Sequence, residues 1–273
     1  MQKHRAFHLS SLAVLVLSVG APAVAQTLTR EQQAQFLRTA RVVNVGATSK
    51  GVTKPLRLTL TDGTLTHDAQ FQAVDQQRQV SLRTGPGGTP ELNFRDSWRY
   101  NVAAPRLAEL LGIPEMIPVS VERKWQGRTG ALTWWVDDVL MDEEERRKTN
   151  TEPPDPEEWN RQQTIMRVFT ELVYDTDRNQ GNILITKDWR LVMIDFTRAF
   201  RPWKETRTPI QTLRRCDRKL LAAMRRLNKE ELRTAAGRYL TGAEIEGLLA
   251  RRDLIVAHFD ALVAKLGEAQ VLY

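Results

Sequence analysis

Three side chains with metal-type oxygen atoms flank a predicted β-hairpin. Asp177 and Asn182 precede a short apolar run at 183–185, and Asp195 follows a second apolar run at 191–194. The polar segment between the two runs is typical of a hairpin turn. Closing the hairpin brings Asn182 and Asp195 to one end, where carboxylate and amide oxygens could hold a hard divalent cation such as Mg²⁺. The alternative is an ordinary hairpin capped by Asp and Asn, since both are common turn residues.

The spacing of these side chains suits phosphoryl transfer. In D-x-x-x-x-N followed by a hairpin and a second Asp, the first Asp can accept the proton of an attacking hydroxyl, while the Asn and the later Asp hold a metal on the phosphates. The motif DRNQGN at 177–182, with IDF at 194–196, resembles the atypical protein-kinase-like superfamily. The resemblance is to the branch of phosphatidylinositol 3-/4-kinases, HipA-type kinases and kinases of the secretory pathway.

This resemblance implies roles for individual residues. Asp177 would be the catalytic Asp, Arg178 would brace the catalytic loop, and Asn182 and Asp195 would bind the metal. ATP and Mg²⁺ or Mn²⁺ would lie between two lobes. The implied fold class is α+β, a kinase-like two-lobed fold with a small antiparallel-sheet N-lobe and a mainly helical C-lobe.

The elements that must position these residues are predicted from periodicity and turn residues. A helix is predicted over 28–43, paired strands at 56–60 and 65–74 around Asp62-Gly63, a helix over 98–111, and two further strands at 118–121 and 132–136. Trp134 and Trp135 are interpreted as core or hinge packing rather than as a ligand-stacking pair. The predicted divisions are a signal peptide at 1–25, the N-lobe at 26–136, an acidic, proline-containing solvated linker or hinge at 137–156, and the C-lobe at 157–273.

A Gly-rich segment at 44–54 could form a loop over a nucleotide. Backbone N–H groups in such a segment can approach phosphate oxygens, so Gly46, Gly51 and Lys54 are candidate nucleotide contacts. The segment is not a Walker loop, because Val52 stands where that motif needs Lys. A plain connector between two strands is the alternative.

The resemblance also places a phosphate-gripping Lys in the small lobe. The matching position is Gln72, which is not basic, and the expected acidic partner corresponds to Asn101. A neutral Gln and Asn could replace the ion pair together, because losing only one partner would leave a charge unpaired. Lys50, Lys54 or Arg57 could reach the phosphates instead.

The C-terminal half is predicted to be helical. Asp155, followed by Pro156, predicts the start of a helix that leads to Asp177, the sequence beyond Phe200 is predicted to be helical, and residues 241–244 read as a capping box.

The segment from 198 to 233 is strongly basic, with twelve Lys or Arg residues against four Asp or Glu. A solvated helix face and a contact with an anionic substrate or anionic lipid both fit this composition. No DNA- or RNA-binding motif accompanies it, so no nucleic-acid partner is predicted. Cys216, the single cysteine, is interpreted as structural.

The N-terminus has the order of a secretory signal peptide. Lys3 and Arg5 precede an apolar run at 9–19 and small residues that end at Ala25, where cleavage is predicted. The run is short for a membrane span, although an uncleaved anchor is the alternative. The mature chain is therefore expected to be exported, either periplasmic or secreted.

Together these features lead to one main hypothesis and two alternatives. The main hypothesis is an exported kinase-like phosphotransferase that uses ATP and a divalent metal on an unknown acceptor, which could be a protein, a lipid or a small molecule. The neutral Gln72 and Asn101 favour a catalytically silent kinase-like binding module instead. Nucleotidyl transfer would need the same metal site with the nucleotide turned round.

Overall fold

The computed structural model describes residues 28–47, 55–81 and 90–273. The predicted signal peptide at 1–25 lies outside the described residues, as do Gly51 and Lys54. In chain order the elements are α1 (Arg30–Thr39), β1 (Arg41–Ala47), β2 (Leu56–Thr61), β3 (Thr66–Gln72), β4 (Asp75–Ser81), β5 (Glu91–Ser97), α2 (Trp98–Leu110), β6 (Ser120–Trp125), β7 (Arg128–Trp134), β8 (Val139–Asp142), α3 (Glu143–Thr149), α4 (Pro156–Val173), β9 (Ile183–Thr186), β10 (Leu191–Met193), α5 (Arg218–Arg226), α6 (Lys229–Ala236), α7 (Gly242–Leu266) and α8 (Glu268–Val271).

The fold is α+β, as predicted, with an antiparallel-sheet N-terminal region and a helical C-terminal part. Buried apolar side chains form two clusters, a smaller one on the N-terminal sheet and a larger one in the helical part. No helix within the described ranges is both long and apolar enough to span a membrane.

The N-terminal region is built on a five-stranded antiparallel sheet in the order β1-β2-β3-β7-β6. The turn between β2 and β3 lies where Asp62-Gly63 predicted it, and the Asp62 carboxylate accepts the N–H groups of Thr64 and Leu65. These hydrogen bonds lower the pKa of Asp62. Apolar residues on one face of the sheet, such as Leu58, pack against α1 to form the smaller cluster.

Helix α1 is shorter than the predicted helix over 28–43. It begins with a capping box between Thr29 and Gln32, and it ends at Thr39. Residues from Arg41 onward belong to β1 instead, where they pair with β2. Valine is β-branched and favours strands, so pairing with a neighbouring strand overrides the loose helical spacing of the apolar residues.

Helix α2 connects the two regions. It matches the predicted helix over 98–111, and its apolar side chains pack into the larger cluster although they lie within the range predicted for the N-lobe. The Tyr100 hydroxyl donates to Glu244 at 2.5 Å, and Arg95 forms an ion pair with the same carboxylate at 3.3 Å. These contacts fasten the start of α2 to the start of α7.

The acidic segment 137–156 contains regular structure, whereas its composition predicted a solvated linker. Strand β8 pairs with β9 and so adds a third strand to the predicted hairpin, in the order β10-β9-β8. Helix α3 follows, and its first residue, Glu143, is buried and forms ion pairs with Arg146 and Arg147. These basic residues lie three and four positions later, on the same helix face, which explains how an acidic segment can fold against the protein.

The helical part is only partly as predicted. Asp155 caps α4 and Thr241 with Glu244 forms the capping box of α7, in agreement with the sequence. The prediction of a helix beyond Phe200 is wrong for residues 201–217, where the only helical element is a short 3-10 turn at Ile210–Thr212. The segment includes two prolines, which lack an N–H group, and its Arg201 carbonyl accepts a hydrogen bond from buried Arg251 at 3.0 Å.

Cys216 is buried beside the C-terminal segment. Its backbone N–H donates to the Val271 carbonyl at 2.9 Å. Burial raises the pKa of the Cys216 thiol to about 12. Since the thiolate is the reactive form, this cysteine is unreactive near neutral pH, consistent with a structural role.

Candidate active site

A cavity of about 610 Å³ lies between the five-stranded sheet and the three-stranded sheet, and we call it the cleft. Arg57, Gln70 and Trp135 line it from the N-terminal region, and Asn182 and Asp195 line it from the hairpin. Its volume falls within the range of about 300–1,000 Å³ that is typical of small-molecule sites. The cleft is therefore large enough for a nucleotide-sized ligand.

The register of the hairpin brings Asn182 and Asp195 together. Ile183 pairs with Met193, and the next N–H along, that of Ile194, donates to the Asn182 carbonyl at 3.1 Å. The Asn182 side-chain amide donates to the Asp177 backbone carbonyl at 3.2 Å. Because the amide nitrogen is engaged in this way, the amide oxygen is the atom that can serve as a ligand.

The carboxylate of Asp195 is held by Thr197. Asp195 adopts a left-handed backbone conformation with φ of 53°. Its Oδ1 accepts hydrogen bonds from the Thr197 hydroxyl at 3.0 Å and from the Thr197 backbone N–H at 3.3 Å. Burial raises the pKa of Asp195, while the hydrogen bonds from Thr197 and the charge of Arg178 act in the opposite direction. A bound cation would favour the charged form of this carboxylate.

A second buried carboxylate, Asp96, stands close to Asp195. It lies near the end of β5 with 8% of its surface exposed. Burial raises the pKa of Asp96, a hydrogen bond with Thr197 lowers it, and the charge of Asp195 raises it further. Its Oδ1 has no hydrogen-bond partner among the described residues. Two neighbouring carboxyl groups with raised pKa values are a feature that functional sites often share.

Arg178 fastens the segment 177–182 to the end of the hairpin. Its guanidinium pairs with buried Asp175 at 2.5 Å, and it donates to the carbonyls of Asn182 at 2.9 Å and Ile194 at 2.5 Å. The guanidinium also lies 4.3 Å from the centre of the Phe196 ring. One buried side chain thus holds both residues that precede the hairpin and residues that follow it, which is the geometry expected of a brace.

Asp177 contacts its neighbours mainly through its backbone. Its N–H donates to the Asp175 carboxylate at 3.0 Å, and its carbonyl accepts from the N–H of Asn179 at 2.8 Å. The Asp177 side chain is partly buried, and Asp177 is not one of the residues that line the cleft in the described part of the chain. The structure therefore joins Asp177 to Asn182 directly, and to Asp195 only through Arg178 and the loop.

Gln72 and Asn101 form the neutral pair that the sequence suggested. The Asn101 amide nitrogen donates to the Gln72 side-chain oxygen at 2.7 Å, and both side chains are buried. The Asn101 amide oxygen accepts the backbone N–H of Phe196 at 2.6 Å. Asn101 thus connects β3 of the N-terminal sheet to the residue that follows Asp195, with no charge buried at this junction.

Of the candidate nucleotide contacts Gly46, Gly51 and Lys54, the structure describes Gly46. Gly46 lies in β1, paired with Arg57, and so belongs to a strand rather than to a loop. Gly51 and Lys54 fall outside the described residues. Among the described residues that line the cleft, Arg57 is the one with a basic side chain. It pairs with Asp68 at 2.5 Å and stacks over the Trp135 ring at 4.4 Å.

Three residues at this site were missed by sequence reasoning. Thr197 follows Asp195 by two positions, a spacing at which short polar side chains commonly hydrogen-bond locally, so that contact had a local signal. Asp175 lies three positions before Arg178, but this segment is not helical, so the spacing was not a signal for their ion pair. Asp96 had none, since 99 positions separate it from Asp195 in the sequence.

Comparison with known proteins identifies the fold. Neither a protein-family model nor a curated protein matches this sequence. Among solved structures, the chain is similar to Fam20 of hydra with sugar, with a TM-score of 0.63 and 14% identity over 94% of this chain and 95% of that one. It is also similar to the proinflammatory kinase CtkA of Helicobacter pylori, with a TM-score of 0.52 and 10% identity over 84% of this chain and 98% of that one.

At these identities the comparisons establish the fold rather than the activity. Both matches extend over most of either chain, so the likeness includes the N-terminal sheet as well as the helical part. Of the residues that carried the resemblance, Gly181, Asn182, Ile194 and Asp195 line the cleft. The chain therefore has a kinase-like fold.

Proposed function

We propose that this chain is a kinase-like phosphotransferase that binds ATP and a divalent metal in the cleft. The observation that carries the proposal is the position of Asn182 and Asp195, which line the same cleft at the end of one hairpin. An Asn and an Asp at the two ends of one hairpin can hold a divalent metal on the phosphates of a nucleotide, as phosphoryl transfer requires. The kinase-like fold supports the same conclusion.

The donor set fits Mg²⁺ or Mn²⁺. Asp195 offers a carboxylate and Asn182 an amide oxygen, both of which are hard oxygen ligands. Within 28–47, 55–81 and 90–273 there is no group of three or more His, Cys, Asp or Glu that could hold a metal ion. Two protein ligands suit Mg²⁺, which keeps several waters and binds substrate phosphates. When bound, the metal would neutralise charge on the phosphate oxygens.

The chain's own residues divide the remaining work. Asp177 would orient or deprotonate the hydroxyl of the acceptor, as its place in the motif implies. Arg178 would act as a positioning residue, because it holds the carbonyls on both sides of the hairpin. Thr197 would orient the Asp195 carboxylate towards its ligand through two hydrogen bonds.

A catalytically silent nucleotide-binding module is the second candidate, and the pair of Gln72 and Asn101 favours it. This pair occupies the junction where an ion pair would supply a phosphate-binding Lys, and it supplies no positive charge. Arg57 is the basic side chain that the described residues offer to the cleft, and it is engaged with Asp68. A phosphate that attracts Arg57 would have to compete with this carboxylate.

Phosphoryl transfer and nucleotide binding should be measured on the same preparations. Calorimetric titration with Mg²⁺-ATP is expected to show binding to the wild type, and an ATP-hydrolysis assay is expected to show turnover that Asp195→Ala removes. Asp188→Ala is the matched control, because Asp188 is a carboxylate at the turn of the same hairpin with 60% of its side chain exposed. Binding without turnover would support the silent module. Absence of binding with either Mg²⁺ or Mn²⁺, or equal turnover of wild type and Asp195→Ala, would refute the phosphotransferase.

Export and an anionic contact complete the proposal. The charged, apolar and small-residue order of residues 1–25 supports cleavage near Ala25 and a periplasmic or secreted location. N-terminal sequencing of the protein recovered outside the cytoplasm tests this, and a mature chain that begins at Met1 would contradict it. The acceptor is of unknown class, whether protein, lipid or small molecule. Within the basic segment 198–233, Arg214 and Arg215 are candidates for contact with an anionic group, since neither forms an ion pair within the described part of the chain.

A further inference from the structure

A second cavity, of about 550 Å³, lies on the helical part of the protein away from the cleft. It is bounded by α3, by α4, by the segment 212–215 and by Tyr273. None of the residues that line it also lines the cleft. Helix α3 separates the two, since Glu145 faces the cleft while Glu143 faces the second cavity. We call this cavity the arginine cavity.

Among the residues that the structure describes, five arginine side chains and one carboxylate side chain line the arginine cavity. The arginines are Arg146, Arg147, Arg167, Arg214 and Arg215. The carboxylate is that of Glu143, which pairs with the first two of them. The lining side chains therefore carry a formal excess of four positive charges. Such an excess in a concave site attracts anions.

Two of these arginines are available to a ligand. Arg167 and Arg214 are exposed, and the side chain of neither forms a hydrogen bond or an ion pair with another described residue. Elsewhere in the basic segment, Arg218, Arg225 and Lys229 each pair with a carboxylate. Arg167 and Arg214 therefore keep charges that a ligand entering the arginine cavity could pair with.

Buried donors without partners also lie at this cavity. Gln163 is 92% buried, since 8% of its surface is exposed, and its amide nitrogen has no hydrogen-bond partner among the described residues. The Nε of Arg215 is in the same situation, while its guanidinium stacks 3.5 Å from the centre of the Tyr273 ring. A buried donor without an acceptor is unfavourable, so an acceptor supplied by a ligand would remove this cost.

The sequence of α4 explains why these groups converge. Trp159, Gln163 and Arg167 are spaced by four residues, so they lie on one face of the helix. The guanidinium of Arg146 lies 5.3 Å from the centre of the Trp159 ring, which holds α3 against this face. This face of α4 therefore presents the Arg167 guanidinium and the Gln163 amide to the cavity, and Trp159 packs beneath Arg146 at one end of the face.

We propose that the arginine cavity binds a multiply charged oxyanion of the phosphate-ester or diphosphate class. Guanidinium groups match the geometry of phosphate oxygens and are the side chains that bind them most specifically. Arg167 and Arg214 would supply the charge, and the Gln163 amide would donate to an oxygen. The proposal does not depend on the activity of the cleft, because the two cavities share no lining residue.

The probe for this site is inorganic pyrophosphate, titrated calorimetrically in EDTA so that no metal can hold it in the cleft. The double variant Arg167→Gln/Arg214→Gln is expected to bind pyrophosphate at least about tenfold more weakly than the wild type. The matched control, Arg226→Gln/Arg233→Gln, removes two exposed charges of α5 and α6 that lie outside the cavity. It is expected to bind within about twofold of the wild type. Absence of binding to the wild type, or equal weakening in both double variants, would overturn the proposal.

Gln163→Leu separates a ligand contact from a structural role. Because the amide nitrogen makes no hydrogen bond within the described residues, this change is expected to leave the unfolding midpoint unchanged or higher while it weakens pyrophosphate binding. Unchanged pyrophosphate affinity would contradict a role for this side chain and remove the buried-donor argument.

Vesicles distinguish a lipid headgroup from a soluble ligand. Phosphatidylcholine vesicles with and without a phosphatidylinositol monophosphate are compared in a flotation assay. If only the phosphorylated lipid retains the wild type and pyrophosphate releases it, the cavity binds a lipid headgroup. Pyrophosphate binding without retention on either vesicle supports a soluble phosphate compound.

Discussion

Replacing Arg178 by Met should destabilise the protein by about 3–5 kcal/mol, because it leaves the buried carboxylate of Asp175 without its counter-charge. The side chains of Arg178 and Asp175 are 5% and 0% exposed, so water cannot take over the role of the partner. The carbonyls of Asn182 and Ile194 would also lose a donor. Total stabilities of about 5–15 kcal/mol are usual, so the loss would be a large fraction of the whole.

Urea unfolding followed by tryptophan fluorescence measures this loss, since the chain has seven tryptophans. The double variant Arg178→Met/Asp175→Asn removes the charge that the single variant leaves unpaired. It is expected to be more stable than the sum of the two single losses by about 0.5–3 kcal/mol, the range for residues in contact. An unchanged dependence of the unfolding free energy on urea would confirm that all the variants unfold from a similarly compact state.

Arg190→Met is the matched control for this cycle. Arg190 pairs with Asp188 at the turn of the same hairpin, but the two side chains are 51% and 60% exposed. An exposed pair of this kind contributes at most about 1 kcal/mol. The reasoning would be refuted if Arg178→Met lost no more stability than Arg190→Met, or if the losses at Arg178 and Asp175 were simply additive.

Three further predictions concern other parts of the fold. Gly247→Ala should lower the unfolding free energy by about 1–3 kcal/mol, because an added Cβ would lie 2.7 Å from the backbone carbonyl of Pro202. Gly242→Ala in the same helix, where a Cβ meets nothing within 4 Å, should be neutral or stabilising in the same urea assay. Asp96→Asn should raise the unfolding free energy at pH 7, because burial raises the pKa of this carboxyl above its unfolded value of 3.8 and the charged form is therefore unfavourable in the folded state. The gain in stability should disappear below about pH 4, where the folded and unfolded carboxyl are both protonated. A gain that grows as the pH falls would contradict this prediction. Gln72→Leu and Asn101→Leu should each destabilise the chain, with a double variant more stable than their summed losses by at least about 0.5 kcal/mol, and strict additivity would show that their hydrogen bond contributes nothing.

Local features of the fold were predictable from the sequence because their causes lie within a few residues. The hairpin of β9 and β10 follows from two apolar runs and a polar turn, and its register places Asn182 opposite Ile194, the residue before Asp195. The caps at Asp155 and Thr241 follow from side chains that bond to the next turn of their own helix. The same holds for the turn at Asp62-Gly63.

Predictions failed where distant contacts decide the conformation. The helix predicted over 28–43 gives way to β1 because β2 offers a partner strand. The acidic segment 137–156 forms β8 because β9 has an unpaired edge. The segment 201–217 is irregular, and its carbonyl at Arg201 bonds to Arg251, 50 positions away. None of these partners is visible in a short window of sequence.

The sequence by itself determined that the oxygen-bearing side chains of Asn182 and Asp195 would meet at the end of one hairpin, because this depends on residue type and local spacing. That Gln72 and Asn101 are neutral follows from residue type alone. Only the tertiary structure decided which groups surround them: Asp96 beside Asp195, Asn101 on the N–H of Phe196, and the arginines of α3, α4 and the segment 212–215 around one cavity. The physical reason is that burial and charge are properties of neighbours in space. Packing of α2 and α4 into one core sets those neighbours, which lie as many as 99 positions apart in the sequence.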